Sequence, residues 1–338
     1  MVKYAAQRLV MMAGILIGVL VITFALSRVL PGSPVELMLG HKPTPEQIDE
    51  ARKSLGLDQP MVVQFWNYVA DAVRGDFGVS LMTGRPVLEE VSSRLGATFE
   101  LTTLAVIVVV LIGIPLGIVS AVRQNSPIDH LSRTASIAGV ALPLFMTGMI
   151  LQMFFHGGLG WLPLQGRIGA EILLDHPFST VSGLYLVDSL LAADMTSFLS
   201  ALAHITLPLL TLVIASLAVI TRITRSMMIE VLGEDYIRTA RAYGHAPAAV
   251  HYKYALKATL IPMLTVVGLT YGYLLGGSVV VEFVFDWPGL GSYVVGAISR
   301  NDFPAVMGVT LLLATIYLSV NLIVDLLYYT ADPRLRTK

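Results

Sequence analysis

Ionisable residues inside apolar segments are the first place to look for chemistry in this sequence, because a charge there is costly and is usually kept for function. Arg28, Glu282 and Asp325 fall near segment ends, where side chains can reach water, so we expect them to extend towards solvent. His204 is expected to be packed or hydrated rather than to bind a ligand. No chain of acidic or histidine residues crosses the middle of an apolar segment, which disfavours a proton-coupled secondary transporter.

Motifs for catalysis and nucleotide binding are absent from the sequence. It contains no GxxxxGK[ST] phosphate-binding loop, no HExxH zinc motif, no GxSxG nucleophile motif and no cysteine. Its histidines also lack the i, i+4 spacing of a helical metal site. We therefore expect no catalytic residue, no metal site and no bound cofactor, and a chain that does not hydrolyse ATP on its own.

A polar stretch at 233–262, between two apolar segments, has the pattern of a docking element. Asp235 is expected to cap a short helix, and Gly244 to stop it in the left-handed conformation that is common after helix ends. Pro247 suits the first turn of a second helix that runs towards Leu256. A helix, a glycine corner and a second helix at a membrane surface predict a place where another protein binds.

The elements that hold this stretch follow from composition. The chain has 338 residues, of which 55% are hydrophobic and 13% charged, and its mean hydropathy is +0.74, so it carries more apolar surface than a water-soluble core can bury. The sequence predicts an all-α polytopic membrane protein with a single domain, 1–338. Six apolar runs reach the roughly 17 to 25 residues of a spanning helix. They are Leu9 to Leu30, Leu101 to Val122, Thr134 to Phe155, Ala201 to Thr221, Thr259 to Val281 and Ala305 to Leu327.

The distribution of Lys and Arg sets the expected orientation. Thirteen of the 22 lie in segments on the same side as the two termini. Six of the others lie in the long first loop, where the rule is weak. We therefore expect both termini in the cytoplasm, a cytoplasmic loop at 222–258, and periplasmic loops at 31–97, 157–200 and 282–304.

The periplasmic loops are patterned. In the first, Thr44 and Gln47 form a capping box that opens a helix ending near Gly56. A second helix from Pro60 carries an apolar stripe, which either packs on other helices or lies in the membrane interface. In the last loop, the sequence Trp-Pro-Gly-Leu-Gly at 287–291 predicts a rigid turn and a short helix folded back over the bundle.

Prolines and glycines predict the shape of the spanning helices. Pro115 and Pro143 lie inside the second and third runs, where proline usually produces a kink. Small residues at four-residue spacing allow helices to approach closely. They are Gly14 and Gly18, Gly113 and Gly117, and Gly268, Gly272 and Gly276.

Five short motifs occur in a set order: LPGSP at 30–34, GDFG at 75–78, RTARAYG at 238–244, WPGLG at 287–291 and DPR at 332–334. In this order and spacing they resemble the permease subunits of bacterial ABC importers, in the dipeptide and oligopeptide branch. The third motif is similar to the Glu-Ala-Ala-x-x-x-Gly core by which such permeases dock to their ATPase. This sequence has Arg238 and Thr239 in place of Glu and Ala, and Tyr243 where Lys is usual.

The resemblance implies the six-helix fold of a type I ABC importer permease, with a helical loop after the first crossing and a coupling helix between the fourth and fifth. The residues that it places at the ATPase contact are Asp235, Arg238, Thr239, Ala240, Arg241, Tyr243 and Gly244. Those expected to meet the binding protein or the transport path are Glu282, Trp287, Pro288, Gly289 and Asp302.

Partners and substrate are also implied by the resemblance. They are a second, homologous permease in a heterodimer, two ATPase subunits that hold ATP and Mg²⁺, an extracytoplasmic peptide-binding protein and the lipid of the bacterial inner membrane, with no nucleic acid. The long first loop resembles that of the first permease of such a pair. Alternating access would carry dipeptides or oligopeptides. Nickel chelates, glutathione, haem and δ-aminolevulinate are alternatives in the same class, and a proton-coupled transporter is the alternative from another.

Overall fold

The structure, a computed structural model, describes residues 2–29, 44–54, 56–175 and 180–331, and most of these are helical. The helices are α1 (Val2–Val29), α2 (Pro45–Ser54), α3 (Met61–Val73), α4 (Val87–Val122), α5 (Pro127–Ala141), α6 (Leu144–Leu151), α7 (Ala170–Asp175), α8 (Tyr185–Leu191), α9 (Met195–Leu232), α10 (Asp235–Ala242), α11 (Leu256–Val284), α12 (Leu290–Ser299) and α13 (Phe303–Ala331). Two π-helices, π1 (Gln152–Gly158) and π2 (Ala249–Ala255), extend α6 and precede α11.

Five of the described helices are long and apolar enough to cross a membrane, namely α1, α4, α9, α13 and α11 taken together with π2. A sixth crossing is formed if α5 and α6 with π1 count as one broken span. The predicted class, a helical polytopic membrane protein, is confirmed, with five or six candidate crossings among the described residues.

The third predicted crossing, Thr134–Phe155, differs from the expectation of one kinked helix. Its two halves, α5 and α6–π1, meet at an angle of 103°. A proline ring disfavours helical backbone in the residue before it, and Leu142 is accordingly extended, with φ −96° and ψ 137°. Pro143 then opens α6. Pro115, by contrast, lies inside the continuous helix α4.

The core of the bundle is built on α4 and α9. A Cβ atom on Gly113 would lie 2.9 Å from Ile220, and one on Gly117 would lie 2.8 Å from the Thr221 carbonyl oxygen, so both glycines let the two helices approach closely. On α11, Gly268 and Gly272 contact α13 in the same way. Close contact was predicted correctly for these four glycines. Within this chain, the other three have open space at the Cβ position: Gly14, Gly18 and Gly276.

The first loop contains the two predicted helices. The capping box is confirmed, because the Thr44 N–H donates to Gln47 Oε1 at 2.9 Å and the Gln47 N–H donates to Thr44 Oγ1 at 3.3 Å. On α3, Phe65 packs edge-on against Phe24 of α1, with 5.4 Å between ring centroids. Trp66 on the same helix is 63% exposed, so α3 packs along one edge and leaves the rest of its apolar stripe uncovered.

The outermost crossings, α1 and α13, are joined by an ion pair. Arg8 Nη2 lies 3.1 Å from Asp325 Oδ1, with side chains 39% and 25% exposed. Asp325 is therefore half-buried and paired with a neighbouring helix. The motifs at 30–34 and 332–334 and the side chain of Arg28 lie outside the described part of the chain.

Candidate docking surface

The short helix α10 sits at one end of the bundle, here called the α10 end. Ile237 is fully buried and Ala240 is 6% exposed, and their three-residue spacing puts both on one face. This face packs against residues at the ends of α4 and α9 and in π2: Ile118, Ala121, Met228, Val250 and Ala255. An apolar seat of two residues therefore fixes α10 to three other elements.

The rest of α10 and its corner face outwards. Arg238 Nη1 lies 3.2 Å from Asp235 Oδ1, but these side chains are 73% and 95% exposed, so the pair contributes little to stability and is free to bind a partner. Tyr243, the departure from the usual Lys, is 81% exposed. Of the seven residues expected at an ATPase contact, Ala240 alone is turned inwards. The six exposed ones are Asp235, Arg238, Thr239, Arg241, Tyr243 and Gly244.

The start of α10 corrects one prediction. The capping position is Glu234, with extended backbone at φ −67° and ψ 149°, and its side chain makes no capping hydrogen bond. Asp235 is instead the first helical residue, so the prediction that it caps the helix was wrong. Two residues, Gly233 and Glu234, separate α9 from α10, and the chain turns at once. A carboxylate in the first turn still interacts favourably with the positive end of the helix.

Gly244 is the corner after α10, as predicted. Its φ is +78°, in the left-handed region, and its N–H donates to the Arg241 carbonyl oxygen at 3.0 Å. The His245 N–H then donates to the carbonyl oxygen of Ala240 at 3.3 Å. No atom lies within 4 Å of a Cβ placed on Gly244, so the backbone angle, and not space, requires glycine here.

The second predicted helix begins at Pro247 but does not end near Leu256. It passes through π2 directly into α11. The Tyr254 hydroxyl lies 3.1 Å from His245 Nε2, which ties the corner back to π2. A displacement of α10 would therefore reach the spanning helix α11 without an intervening flexible segment.

A buried ion pair at the α10 end was missed in the sequence. Asp129 is fully buried, and Arg225 of α9 donates to it from Nε at 2.6 Å and from Nη2 at 2.8 Å. The Ser120 hydroxyl donates to it at 2.6 Å, and the Asn125 N–H at 3.0 Å. Ser126 caps α5 by accepting from the Asp129 N–H, so a Ser-x-x-Asp pattern marked the helix start, but nothing local indicated a partner 96 residues away.

At the opposite end of the bundle, the α12 end, Glu282 is fully buried, so the expectation that it reaches water was wrong. Its carboxylate accepts from the Thr98 hydroxyl at 2.7 Å, from the Gly291 N–H at 2.6 Å and from the Ser292 N–H at 3.2 Å. The two N–H groups belong to the first turn of α12, where a carboxylate stabilises the helix start. Glu282 thereby joins the end of α11 to α4 and α12.

The other residues of the predicted outer contact mostly point inwards too. Trp287 is 1% exposed and donates from Nε1 to the Ala97 carbonyl oxygen at 3.0 Å. Asp302 is 1% exposed and accepts from the Ser80 hydroxyl at 2.5 Å. Gly289 is buried, whereas Pro288 is exposed. The turn thus folds back onto α4, and Asp286 and Pro288 are its exposed residues.

A second buried ion pair lies at the α12 end. Arg167 Nη2 donates to Glu100 Oε2 at 2.6 Å, and its guanidinium stacks 3.8 Å from the ring centroid of Tyr185. Nearby, burial raises the pKa of Asp188, but backbone and side-chain hydrogen bonds, among them those from Ser182 and the Gly183 N–H, together lower it more, so this pKa lies below its usual value. These contacts order the second loop.

Among the described residues, no three His, Asp or Glu side chains lie together as a metal site would need. His204 lines an open hollow of about 710 Å³, and its Nδ1 lies 2.7 Å from the Ser200 carbonyl oxygen in its own helix.

Together, the long apolar helices and the exposed short helix between two of them define a helical polytopic membrane protein. Residues 113–337 match the family described as the binding-protein-dependent transport system inner membrane component. Residues 1–102 match the N-terminal region of such membrane components. The chain belongs to this family.

Characterised relatives extend over almost the whole chain. A probable D,D-dipeptide transport system permease of Escherichia coli is 47% identical over 94% of this chain and 93% of its own length. The dipeptide transport system permease of Alkalihalophilus pseudofirmus is 41% identical over 99% of this chain and its full length. A glutathione transport system permease of Escherichia coli is 38% identical over the full length of both chains.

Substituting Gly244 separates backbone conformation from side-chain size. If an ATPase subunit binds at α10, as the sequence resemblance implies, Gly244→Val should abolish the effect of this chain on it, because a β-branched residue is strained at φ +78°. Gly244→Asn should keep most of the effect, because Asn tolerates this region. The measurement is ATP hydrolysis stimulated by substrate-loaded binding protein in the assembled complex. Equal activity of the Val and Asn variants would contradict the role of the left-handed corner.

Substituting Glu282 tests the buried junction at the α12 end. In Glu282→Gln the new amide must turn a donor group towards the Thr98 hydroxyl or the α12 N–H groups, so we expect a loss of about 1–3 kcal/mol in stability. The thermal midpoint of the purified chain in detergent measures it. Asp286→Asn is the matched control, since Asp286 is exposed with φ 47°. An unchanged midpoint for Glu282→Gln would contradict this assignment.

Proposed function

We propose that this chain is one permease subunit of an ATP-driven importer that passes dipeptides or short peptides from an extracytoplasmic binding protein to the cytoplasm. The observation that carries the proposal is the exposed face of α10. Ile237 and Ala240 pack this helix against the bundle, and Gly244 ends it in the left-handed conformation. Relatives at 41% and 47% identity are named as dipeptide and D,D-dipeptide permeases, which supports the substrate class.

In this proposal the α10 end lies in the cytoplasm of a bacterium, with both termini, and the α12 end lies outside the inner membrane. The excess of Lys and Arg in segments at the α10 end supports this orientation. Six crossings result when α5 and α6–π1 are one broken span. Such a broken span is tolerated in a membrane where its polar backbone is covered by protein.

Each of the proposed partners has a separate function. Two ATPase subunits bind ATP and Mg²⁺ and hydrolyse ATP, and this chain binds neither, in keeping with a sequence that contains no phosphate-binding loop. A second, homologous permease completes the transport path. The exposed residues Arg238, Thr239 and Tyr243 contact one ATPase subunit. At the α12 end, the turn around the exposed Pro288 meets the binding protein or the path.

The energy of ATPase closure enters through α10. Because Ile237 and Ala240 pack on Ile118 of α4 and Met228 of α9, a push on α10 moves the ends of both helices. Since the helix that begins at Pro247, three residues after Gly244, continues through π2 into α11, the same push also reaches a third spanning helix. Well-packed interfaces tend to switch between discrete arrangements rather than to deform gradually, which suits alternating access to a central path.

Glutathione is the second candidate substrate, because a glutathione permease is 38% identical over the full length of both chains. A glutathione permease and a dipeptide permease must both pass small, flexible, zwitterionic molecules with amide bonds. Transport assays on the complete complex therefore have to compare the two directly.

The test is uptake into proteoliposomes that hold this chain with its second permease and ATPases, with the binding protein outside and ATP inside. We expect uptake of labelled L-Ala-L-Ala that requires ATP and is suppressed by excess unlabelled dipeptide but not by equal glutathione. Uptake driven by a proton gradient without ATP would contradict the proposal in favour of a secondary transporter. If glutathione suppressed the uptake and unlabelled dipeptide did not, glutathione would replace dipeptides as the proposed substrate.

A further inference from the structure

The ion pair of Asp129 and Arg225 joins four parts of the chain at one point. Asp129 lies in the first turn of α5, Arg225 in α9, Ser120 near the end of α4 and Asn125 in the turn between α4 and α5. Asp129 carries the carboxylate, and the other three residues donate hydrogen bonds to it. Asp129 has no exposed surface. A buried charge is stable only when its hydrogen-bonding capacity is filled, so these parts are held in a fixed relative position.

This point lies directly beneath the seat of α10. Arg225 precedes Met228 by three residues, so the two side chains lie on the same face of α9, about one helical turn apart. Met228 is fully buried in the cluster that contains Ile237 of α10. On α4, Ser120 is next to Ala121, which belongs to the same cluster. The ion pair therefore lies next to the apolar cluster that holds α10.

Elsewhere, α5 and α9 pack against each other along part of their length, beside an open groove. A groove of about 400 Å³ lies between α4, α5 and α9, lined by side chains that include Leu131, Ser132, Ser136 and Thr221. The Thr221 hydroxyl, at its buried edge, has no hydrogen-bond partner in the described structure. Close approach returns at Gly139, where a Cβ atom would lie 2.9 Å from the Ile214 carbonyl oxygen. The Asp129–Arg225 pair is thus the strong link at the start of α5.

We propose that Asp129 and Arg225 are positioning residues that make α5, and the bent span it begins, follow α9 when a partner displaces α10. This inference rests on the proposed function of the docking surface. Without the pair, α9 would still move with α10 through Met228, but α5 could stay behind across the groove. Hydrolysis in the partner would then continue while movement of the third span, and transport, would be lost.

A positioning role differs from mere support of the fold in what it changes. Loss of a supporting contact lowers the amount of assembled complex but leaves each assembled complex working normally. Loss of the proposed link lowers the uptake per ATP hydrolysed, and it abolishes the ATP-dependent movement of α5. Both readouts are ratios or distances in assembled complexes, so neither depends on the yield.

The test uses the complete complex with Asp129→Asn in this chain. An amide keeps the shape of the side chain but cannot offer two acceptors to the guanidinium of Arg225. We expect uptake per ATP to fall at least about tenfold in assembled complexes. The matched control is Glu100→Gln, which changes the buried carboxylate paired with Arg167 at the α12 end. Its ratio should stay within about twofold of the unsubstituted complex.

A distance measurement keeps the inference testable if the substrate is wrongly assigned. Spin labels at Ile137 of α5 and Val10 of α1, which are 72% and 73% exposed, should change separation on ATP binding in the unsubstituted complex and in Glu100→Gln. In Asp129→Asn the separation should not change. If peptide uptake is absent while this movement occurs, the proposed substrate fails and the inference stands.

Arg225→Lys provides the second variant where Asp129→Asn does not assemble. Lysine keeps the charge but loses the two-nitrogen geometry, so we expect a ratio reduced about threefold. A normal ratio and a normal movement of α5 in assembled Asp129→Asn or Arg225→Lys complexes would overturn the inference. An equal loss in Glu100→Gln would also overturn it, because the effect would then belong to any buried ion pair.

Discussion

The structure depends on one physical constraint, which is that charged side chains buried away from water must find hydrogen-bond partners within the protein. In a membrane protein every buried polar group has to be satisfied within the protein, and an unsatisfied one costs several kcal/mol. Three carboxylates of this chain meet that requirement completely: Asp129 at the α10 end, and Glu100 and Glu282 at the α12 end. Each accepts hydrogen bonds from segments far apart in sequence, so each fixes the position of helices that apolar packing alone would leave free to slide.

Between these polar junctions the helices pack through small residues, and the combination explains how one exposed helix can act on the whole bundle. Gly113 and Gly117 bring α4 against α9, which forms the rigid centre. The docking helix α10 is seated on that centre by Ile237 and Ala240, and it is joined to α11 by a corner and a π-helix. The span formed by α5 and α6 is different, because it is bent by 103° and borders a groove. In the proposed coupling, the Asp129–Arg225 pair makes this span follow α9.

Features governed by local rules could be predicted from the sequence, and features governed by distant partners could not. The left-handed Gly244, the Thr44 capping box and the turn after Trp287 were all predicted, because each depends on a few consecutive residues. Glu282 was misjudged because its donors, Thr98 and the first turn of α12, are invisible in a hydropathy profile.

The bend of the third span and the buried ion pair show the same limit. Proline occurs inside α4 at Pro115 and between α5 and α6 at Pro143, yet it breaks the helix at the second position alone, so the surroundings and not the residue type decide the outcome. The partners of Asp129 are 9 and 96 residues away, and the count of basic residues treated Arg225 as an ordinary residue of the loop 222–258. The sequence therefore indicated the exposed helix α10 but not the buried ion pair next to it.

Photo-crosslinking tests most directly whether the outward face of α10 binds an ATPase subunit, as we propose. A photoreactive amino acid is placed at Thr239 or Tyr243, which are exposed, or at Ile237, which is fully buried, and the complete complex is irradiated in the membrane. The account predicts crosslinks to the ATPase from the two exposed positions and crosslinks within this chain from Ile237. Crosslinks from Thr239 and Tyr243 to lipid or to the binding protein, with none to the ATPase, would contradict it.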